Sequence, residues 1–256
     1  MIVGLQIGKE KSVGRPGKNY MLLLGRQLNE YSLLAAQNCK LIERIFVSTD
    51  SPRLKESANK ISASVIDRPQ ELATPEALTE DVLTHAYDAI RQDIGEDPEM
   101  VVLLFANTPA IDVGLIEKGI NLLKEDESLD SCFSVVKYDM FSPTRARKIE
   151  NGLLVPFVDP SYFGEVSSIR DSQGEVFFAD LSIQILRPSC FLNMEDGMPP
   201  LKWMGKKCCG LRHDFGFDLD EEWQIPVLEY WLKKRGFTDS STPYDKAGTA
   251  SNDIKK

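Results

Sequence analysis

Two short stretches carry residue types that could do chemistry. From Gly8 to Asn19 the sequence reads GKEKSVGRPGKN, with four cations (Lys9, Lys11, Arg15 and Lys18) and three glycines in twelve residues. Glycine-rich backbone can turn several N–H groups toward one anion, and the basic side chains can neutralise it. The loop is not G-x-x-x-x-G-K-[ST], because Asn19 follows Gly17 and Lys18, and Ser12 stands where the first glycine belongs. By composition alone a solvated surface turn fits equally well. The second stretch is GFDLD, in which Asp218 and Asp220 fall on one side of an extended segment because side chains there repeat every two residues. Two carboxylates so placed repel unless a cation lies between them, and Mg2+ with water and phosphate oxygens completing its octahedron is the natural partner. The alternative is the acidic start of a helix, where Asp220, Glu221 and Glu222 favour the positive dipole end. Asp220 could serve as metal ligand and N-cap at once.

The elements that must position these residues are legible as alternating textures. Short apolar runs, IVGLQI, RIFVS, ASVI, MVVLLF and SCFSVV, alternate with segments of helical period through the first 136 residues, which implies a mostly parallel sheet. In open α/β sheets ligands sit beyond the carboxyl ends of strands. The basic loop leaves the first run at such an end, which favours phosphate over solvent as its partner. Leu115, Ile116, Ile120, Leu122 and Leu123 share one face of a crossover helix, whose propensity Gly119 lowers. After Val136 the texture changes: ARKIENGLLVPFV carries an Asn-Gly turn between two short runs, and EVFFADLSIQIL is another extended segment. Residues 138–186 are expected to form a hairpin-rich insertion. The helix in DEEWQIPVLEYWLKK should turn Trp223, Val227, Leu228, Trp231 and Leu232 inward, with Pro226 kinking or restarting it. A single α/β domain over 1–237 and a flexible tail over 238–256 complete the expected organisation.

Length and composition bound the function. At 256 residues with 42% hydrophobic content, the chain can fill one large core. Net charge is −9, yet Lys9 to Arg26 holds five cations against Glu10 alone. A local positive patch on an acidic protein points to a small anionic ligand and away from nucleic acid. Five cysteines without a C-x-x-C pair fit reduced core residues. No signal segment or membrane-length apolar run is visible, so a cytoplasmic location is expected. With only His85 and His213, there is little room for a histidine-based triad or a multi-histidine metal site. A structural role is expected for His85 and a loop role for His213.

GKEKSVGRPGKN, IFVSTDS, DRPQELAT and GFDLD occur in the order and spacing of the acylneuraminate cytidylyltransferase family, and roughly Ile2 to Trp231 resembles it. The resemblance implies a Rossmann-like three-layer nucleotidyltransferase fold with an inserted dimerisation hairpin. It also implies CTP, a divalent cation and a sialic acid-like 2-keto sugar acid as partners, and a homodimer. Matched residue by residue, it makes Lys18 a phosphate ligand and Asn19 a nucleotide ligand, with Ser12 and Gly14 also in place. Lys9 stands at the family's leading arginine and Val13 at its loop lysine. Lysine keeps the charge but loses the bidentate fork, for which Arg15 can compensate, and Lys11 is expected on the triphosphate. Arg68 falls on a nucleotide-site arginine, against the alternative of a rim salt bridge with Glu71, and Thr79 on a substrate-contacting serine. Phe105 and Asn107 replace the Gln and Thr of the family's Gln-Pro-Thr-Ser-Pro strand end, and Ala179-Asp180 replaces its Asn-Gly. Among Arg145, Arg147 and Arg170, Arg170 is the candidate that reaches a neighbour's sugar site. Asp218 and Asp220 fall on the metal pair. Two other functions stay open at this point: nucleotidyl transfer to a sugar 1-phosphate with CTP or GTP, and nucleotide-sugar binding without catalysis.

Overall fold

The computed structural model describes residues 1–245 apart from 13, 14, 170, 171 and 173. In chain order the strands are β1 (Ile2–Ile7), β2 (Leu22–Leu23), β3 (Arg26–Gln27), β4 (Arg44–Thr49), β5 (Ser64–Asp67), β6 (Met100–Phe105), β7 (Ser131–Lys137), β8 (Arg147–Glu150), β9 (Leu153–Pro156), β10 (Phe177–Leu186) and β11 (Cys208–His213). The helices are α1 (Leu28–Asn38), α2 (Pro52–Lys60), α3 (Thr79–Ile94), α4 (Val113–Glu125), α5 (Ser189–Leu192) and α6 (Gln224–Lys234). Each of the five apolar runs read as a strand is one.

Seven strands form one sheet in the order β11-β7-β10-β6-β1-β4-β5. β1 is parallel to both β4 and β6, β4 to β5, and β7 to β11, while β10 runs antiparallel between β6 and β7. β1 is buried along its whole length, as a central strand covered on both faces must be. On one face Val82, Leu83, Ala86, Tyr87 and Ile90 of α3 pack with Phe191 of α5 against Val3, Leu5, Val101 and Leu103. On the other, Ala35 and Ala36 of α1 and Ile116, Ile120 and Leu123 of α4 cover Ile2, Val102 and Leu104. The result is a three-layer α/β fold. Gly119 in α4 has a packing reason that outweighs its propensity cost. A Cβ there would come within 2.5 Å of Ile185 and 2.8 Å of Leu211, so the glycine lets α4 lie close on the sheet.

Three expectations need correction. The segment 138–186 does not lie wholly outside the sheet, because β10 is paired within it, which leaves 138–176 as the excursion. Period-two patterning identifies a strand but not its partner. Within the excursion β8 and β9 form a separate two-stranded hairpin, with positive φ at both Asn151 and Gly152 as a tight turn requires. Pro226 neither kinks nor restarts α6. The helix begins at Gln224, so the proline occupies the first turn, where its missing N–H has no intrahelical partner to lose. Leu228, Trp231 and Leu232 do turn inward, but Trp223 and Val227 face out. Finally, Thr238 to Asp245 packs onto the body: Arg26 donates to the Thr238 carbonyl at 2.5 Å, and Tyr244 meets Phe237 edge to face. The expected tail beyond residue 245 lies outside the described residues.

Candidate active site

The chain leaves β1 toward β4 and β5 and returns to β6 on the other side, so the carboxyl ends of β1 and β6 flank a topological switch point. A crevice forms there in open sheets of this kind. A cavity of about 260 Å3 opens at this place, and the basic loop forms one wall through Lys9, Ser12, Lys18 and Asn19. Gly8 begins the loop where no side chain fits, since a Cβ would lie 2.6 Å from Leu54 and 2.7 Å from Ala106. The loop is tied down in three places. Lys9 Nζ donates to the Thr74 carbonyl at 3.0 Å, and Asn19 Nδ2 donates to the Lys9 carbonyl at 2.9 Å. The Glu10 N–H donates to Asp50 Oδ1 at 2.9 Å, while the Ser51 hydroxyl donates to the Glu10 carboxylate. The quoted motif VSTDS thus acts through Asp50 and Ser51, which anchor the loop from the corner between β4 and α2.

The carboxylates arrive from the far side. The Leu219 N–H donates to the Asn107 carbonyl at 2.9 Å, and Leu219 is fully buried beside Leu228 and Trp231. With Leu219 inward, its neighbours Asp218 and Asp220 are held over the end of β6. Asp218 lines the cavity. Burial, then the negative charge of Asp220, raises the Asp218 carboxyl above the usual carboxylate range, with Lys18 pulling the other way. Asp220 is half-exposed and forms an ion pair with Lys18. It does not cap α6. Trp223 holds that position without a side-chain cap, and Gln224 instead accepts the Asp220 and Glu221 N–H groups at 2.7 Å each. The helix-start account of Asp220 therefore fails on geometry.

Arg68 stands just beyond β5, only 9% exposed, and lines the same cavity. Its Nη2 donates to the Ser48 carbonyl at 2.8 Å, while Nε is buried without a partner. Among the described residues it forms no ion pair with Glu71. Burial pushes its pKa down to about 10, opposed by the charge of Asp50. Among the described residues no carboxylate pairs with it directly to offset its desolvation.

Nine sequence-derived candidates therefore line one cavity: Lys9, Ser12, Lys18, Asn19, Arg68, Thr79, Phe105, Asn107 and Asp218. Asp220 joins them through Lys18. Lys11 is exposed, and neither it nor Arg15 lines the cavity. Gly14 and Arg170 lie outside the described residues. Sequence reasoning missed the apolar wall of Leu72, Ala77 and Val82. Val82 was within reach, because it lies one helical turn after Thr79 on α3. It also missed the partner of His213. That buried side chain ends β11, with Nδ1 3.0 Å from Asp180 Oδ2, and Asp180 further accepts from the Ser182 N–H at 3.1 Å and from the Ser134 hydroxyl. His85 is half-buried on α3, away from the cavity.

A cytidylyltransferase family model matches residues 10–151, more than half of the sequence. The chain belongs to the cytidylyltransferase family. It is 27% identical over 161 residues to the N-acylneuraminate cytidylyltransferase of Escherichia coli O18:K1:H7, covering 63% of this chain and 37% of that protein. Over 160 residues it is 22% identical to the pseudaminic acid cytidylyltransferase and UDP-2,4-diacetamido-2,4,6-trideoxy-beta-L-altropyranose hydrolase of Helicobacter pylori, covering 62% and 30%. The chain thus spans about a third of the length of these relatives. Among solved structures, a CMP:2-keto-3-deoxy-manno-octonic acid synthetase complexed with CTP superposes with TM-score 0.65 at 12% identity, over 91% of this chain and 98% of that one. A 4-diphosphocytidyl-2C-methyl-D-erythritol synthase gives 0.64 at 10% identity, over 90% and 98%. At such identities the likeness is one of fold, and it agrees with the mostly parallel three-layer architecture.

Proposed function

We propose that this cytidylyltransferase activates a sialic acid-like nonulosonic acid with CTP, giving a CMP-sugar and pyrophosphate. The observation that carries the reading is the cavity at the switch point, lined by Lys9, Lys18 and a buried Arg68 whose Nε has no partner among the described residues, together with Asp218. Cations and carboxylates gathered at one cavity suit a triphosphate and a bound cation. The names of the relatives support an acidic sugar as acceptor: N-acylneuraminate, pseudaminic acid and 2-keto-3-deoxy-manno-octonic acid.

In this reading a sugar hydroxyl oxygen forms a bond to the α-phosphorus, the bond from that phosphorus to the bridging oxygen breaks, and pyrophosphate leaves with the electron pair. The hydroxyl proton is released to solvent. Lys18 and Arg68 hold the triphosphate and neutralise charge as it shifts to the leaving group, while Asn19 and Ser12 orient the nucleotide. Phe105 with Leu72, Ala77 and Val82 forms the apolar wall of the cavity.

The carboxylate pair fits a hard divalent cation such as Mg2+. Asp218 is raised by burial and by Asp220, the state of a carboxylate pair without enough positive charge nearby. Among the described residues no three His, Cys, Asp or Glu side chains form a metal cage, so phosphate oxygens and water must supply the remaining ligands. When bound, such an ion polarises the α-phosphate and helps neutralise the triphosphate. Lys18, ion-paired with Asp220, would be free to pair with phosphate were Asp220 to hold the cation.

The β8–β9 hairpin is read as the contact of a homodimer. Ile149, Leu153, Leu154 and Phe157 are 64–76% exposed on a two-stranded unit that is marginal alone. Pyrophosphate release tests the reading when each nucleoside triphosphate is paired with a 2-keto sugar acid or a sugar 1-phosphate. Release with CTP and the 2-keto acid alone is the expected result. Release only with the sugar 1-phosphate, or nucleotide binding without turnover, overturns it.

A further inference from the structure

Asp180 and His213 are buried and ionisable, yet neither lines the cavity at the switch point. Strand β10 departs from regular pairing where it brings Asp180 in. Its register with β7 shifts between Ala179 and Gln184, and Leu181 inside the shift is held in the left-handed region at φ 59°. A bulge re-aims a side chain at the cost of local pairing, and a residue other than glycine stays in such a conformation only where its surroundings enforce it. Here the surrounding bonds converge on the Asp180 carboxylate. Oδ1 accepts from the Ser134 hydroxyl and from the Ser182 N–H at 3.1 Å, and Oδ2 lies 3.0 Å from His213 Nδ1.

The pair stands at the root of the segment that carries the carboxylates. His213 ends β11, and Asp218 follows it by five positions. Between them Gly216 is buried against Asp180, so closely that a Cβ would lie 1.9 Å from Oδ2 and 2.7 Å from Cγ. The Gly216 carbonyl accepts from the Tyr138 hydroxyl at 3.2 Å. Phe215 stacks on Trp231 with ring centroids 5.9 Å apart, and the same indole meets His213 edge to face. The Leu219 N–H bond to the Asn107 carbonyl closes the span. Asp180 therefore meets this segment twice, at His213 and at Gly216. A shift of either partner moves Gly216, and Asp218 two residues on moves with it.

We propose that the Asp180–His213 pair is a positioning device that sets the segment from Gly216 to Asp220 over the end of β6, so that Asp218 and Asp220 can share one divalent cation. The inference rests on the assignment of those two carboxylates to a cation. Asp180 and His213 touch neither substrate nor cation and act through the backbone. Replacing residues that orient metal ligands from behind costs about 10–100-fold in metal affinity or activity.

The test compares His213→Leu, His213→Asn and Gly216→Ala with the wild type and with Asp218→Asn. Leucine fills the space and removes the bond to Asp180, whereas asparagine places an amide N–H near the position of Nδ1 and can keep it. Two quantities are measured: hydrogen exchange of the 215–220 amides in protein without nucleotide or cation, and the Mg2+ concentration that half-saturates pyrophosphate release from CTP and a 2-keto sugar acid. His213→Leu and Gly216→Ala are expected to speed exchange in this segment, with the β6 amides unchanged, and to raise the Mg2+ midpoint at least about tenfold. His213→Asn is expected to stay within about twofold of the wild-type midpoint. The histidine variants decide alone where Gly216→Ala does not fold. A side chain that only fills a buried space gives the opposite order, leucine better than asparagine, and that order overturns the proposal. Midpoints and exchange equal to wild type in His213→Leu, while Asp218→Asn abolishes Mg2+-dependent release, overturn the positioning role and leave the cation site standing. A wild-type Mg2+ dependence in Asp218→Asn overturns the cation site and the proposal with it.

Discussion

Arg68→Met should make the nucleotide-free protein more stable and its nucleotide binding worse. The arginine is 9% exposed, and burial lowers its pKa from 12.5 to about 10. For a base whose folded pKa lies below its unfolded value, the charged form is penalised in the folded state. That penalty is fully present below about pH 10 and fades only as pH rises from the folded pKa through the unfolded one. At about 1.4 kcal/mol per pH unit it amounts to about 3 kcal/mol at neutral pH. Methionine removes the penalty and forfeits one hydrogen bond, worth about 1 kcal/mol. The Ser48 carbonyl does not become an orphan, because the Gly8 N–H also donates to it at 3.3 Å. A net gain of about 2 kcal/mol follows, or a Tm higher by about 4–8 °C for a chain of this size. Loss of a charge-assisted contact to phosphate, about 1.5–3 kcal/mol, should weaken CTP binding by about 10–150-fold. Thermal unfolding and calorimetric titration of CTP with Mg2+ measure the two effects. A lower Tm together with unchanged CTP affinity would refute the reasoning and make Arg68 a structural cation.

Lys18→Ala should lower kcat/KM for CTP by at least about tenfold, whereas Lys40→Ala, exposed and remote from the cavity, should leave it unchanged; equal kinetics for the two would remove Lys18 from the site. Gly8→Ala drives a Cβ to within 2.6 Å of Leu54 and should cost about 1–3 kcal/mol by overpacking, seen as a lower denaturation midpoint together with weaker CTP binding. Leu154→Asp, placed on the exposed hairpin, should remove the hairpin-mediated dimer in sedimentation without lowering Tm by more than a degree or two; an unchanged assembly would place the dimer contact elsewhere.

Local patterns announced much of this site. Strand ends and helix periods were visible because β1 and β6 are buried on both faces, which demands mostly apolar runs, and because the loop after β1 concentrates charge that no core would accept. Asp218 and Asp220 were legible through their spacing around one buried leucine. What stayed hidden depends on which elements meet. β10 has strand texture, but nothing local says that it enters the central sheet antiparallel between β6 and β7. The pairing of His213 with Asp180 joins positions 33 residues apart on different strands. Trp223 and Val227 look like core residues by composition, and their exposure depends on how α6 is rotated by Leu228, Trp231 and Leu232.

The central claim is that the cavity at the switch point transfers a cytidylyl group with a cation held by Asp218 and Asp220. Its most direct test is pyrophosphate release from CTP and a 2-keto sugar acid, followed against Mg2+ concentration in the wild type, Asp218→Asn and Asp220→Asn. Each amide keeps the shape and removes one negative charge, and at Asp218 it also relieves repulsion with Asp220, so the fold should persist. The account predicts Mg2+-dependent release in the wild type and a loss of at least about a hundredfold in each variant, with circular dichroism unchanged. A rate and Mg2+ dependence in both variants equal to those of the wild type would contradict it.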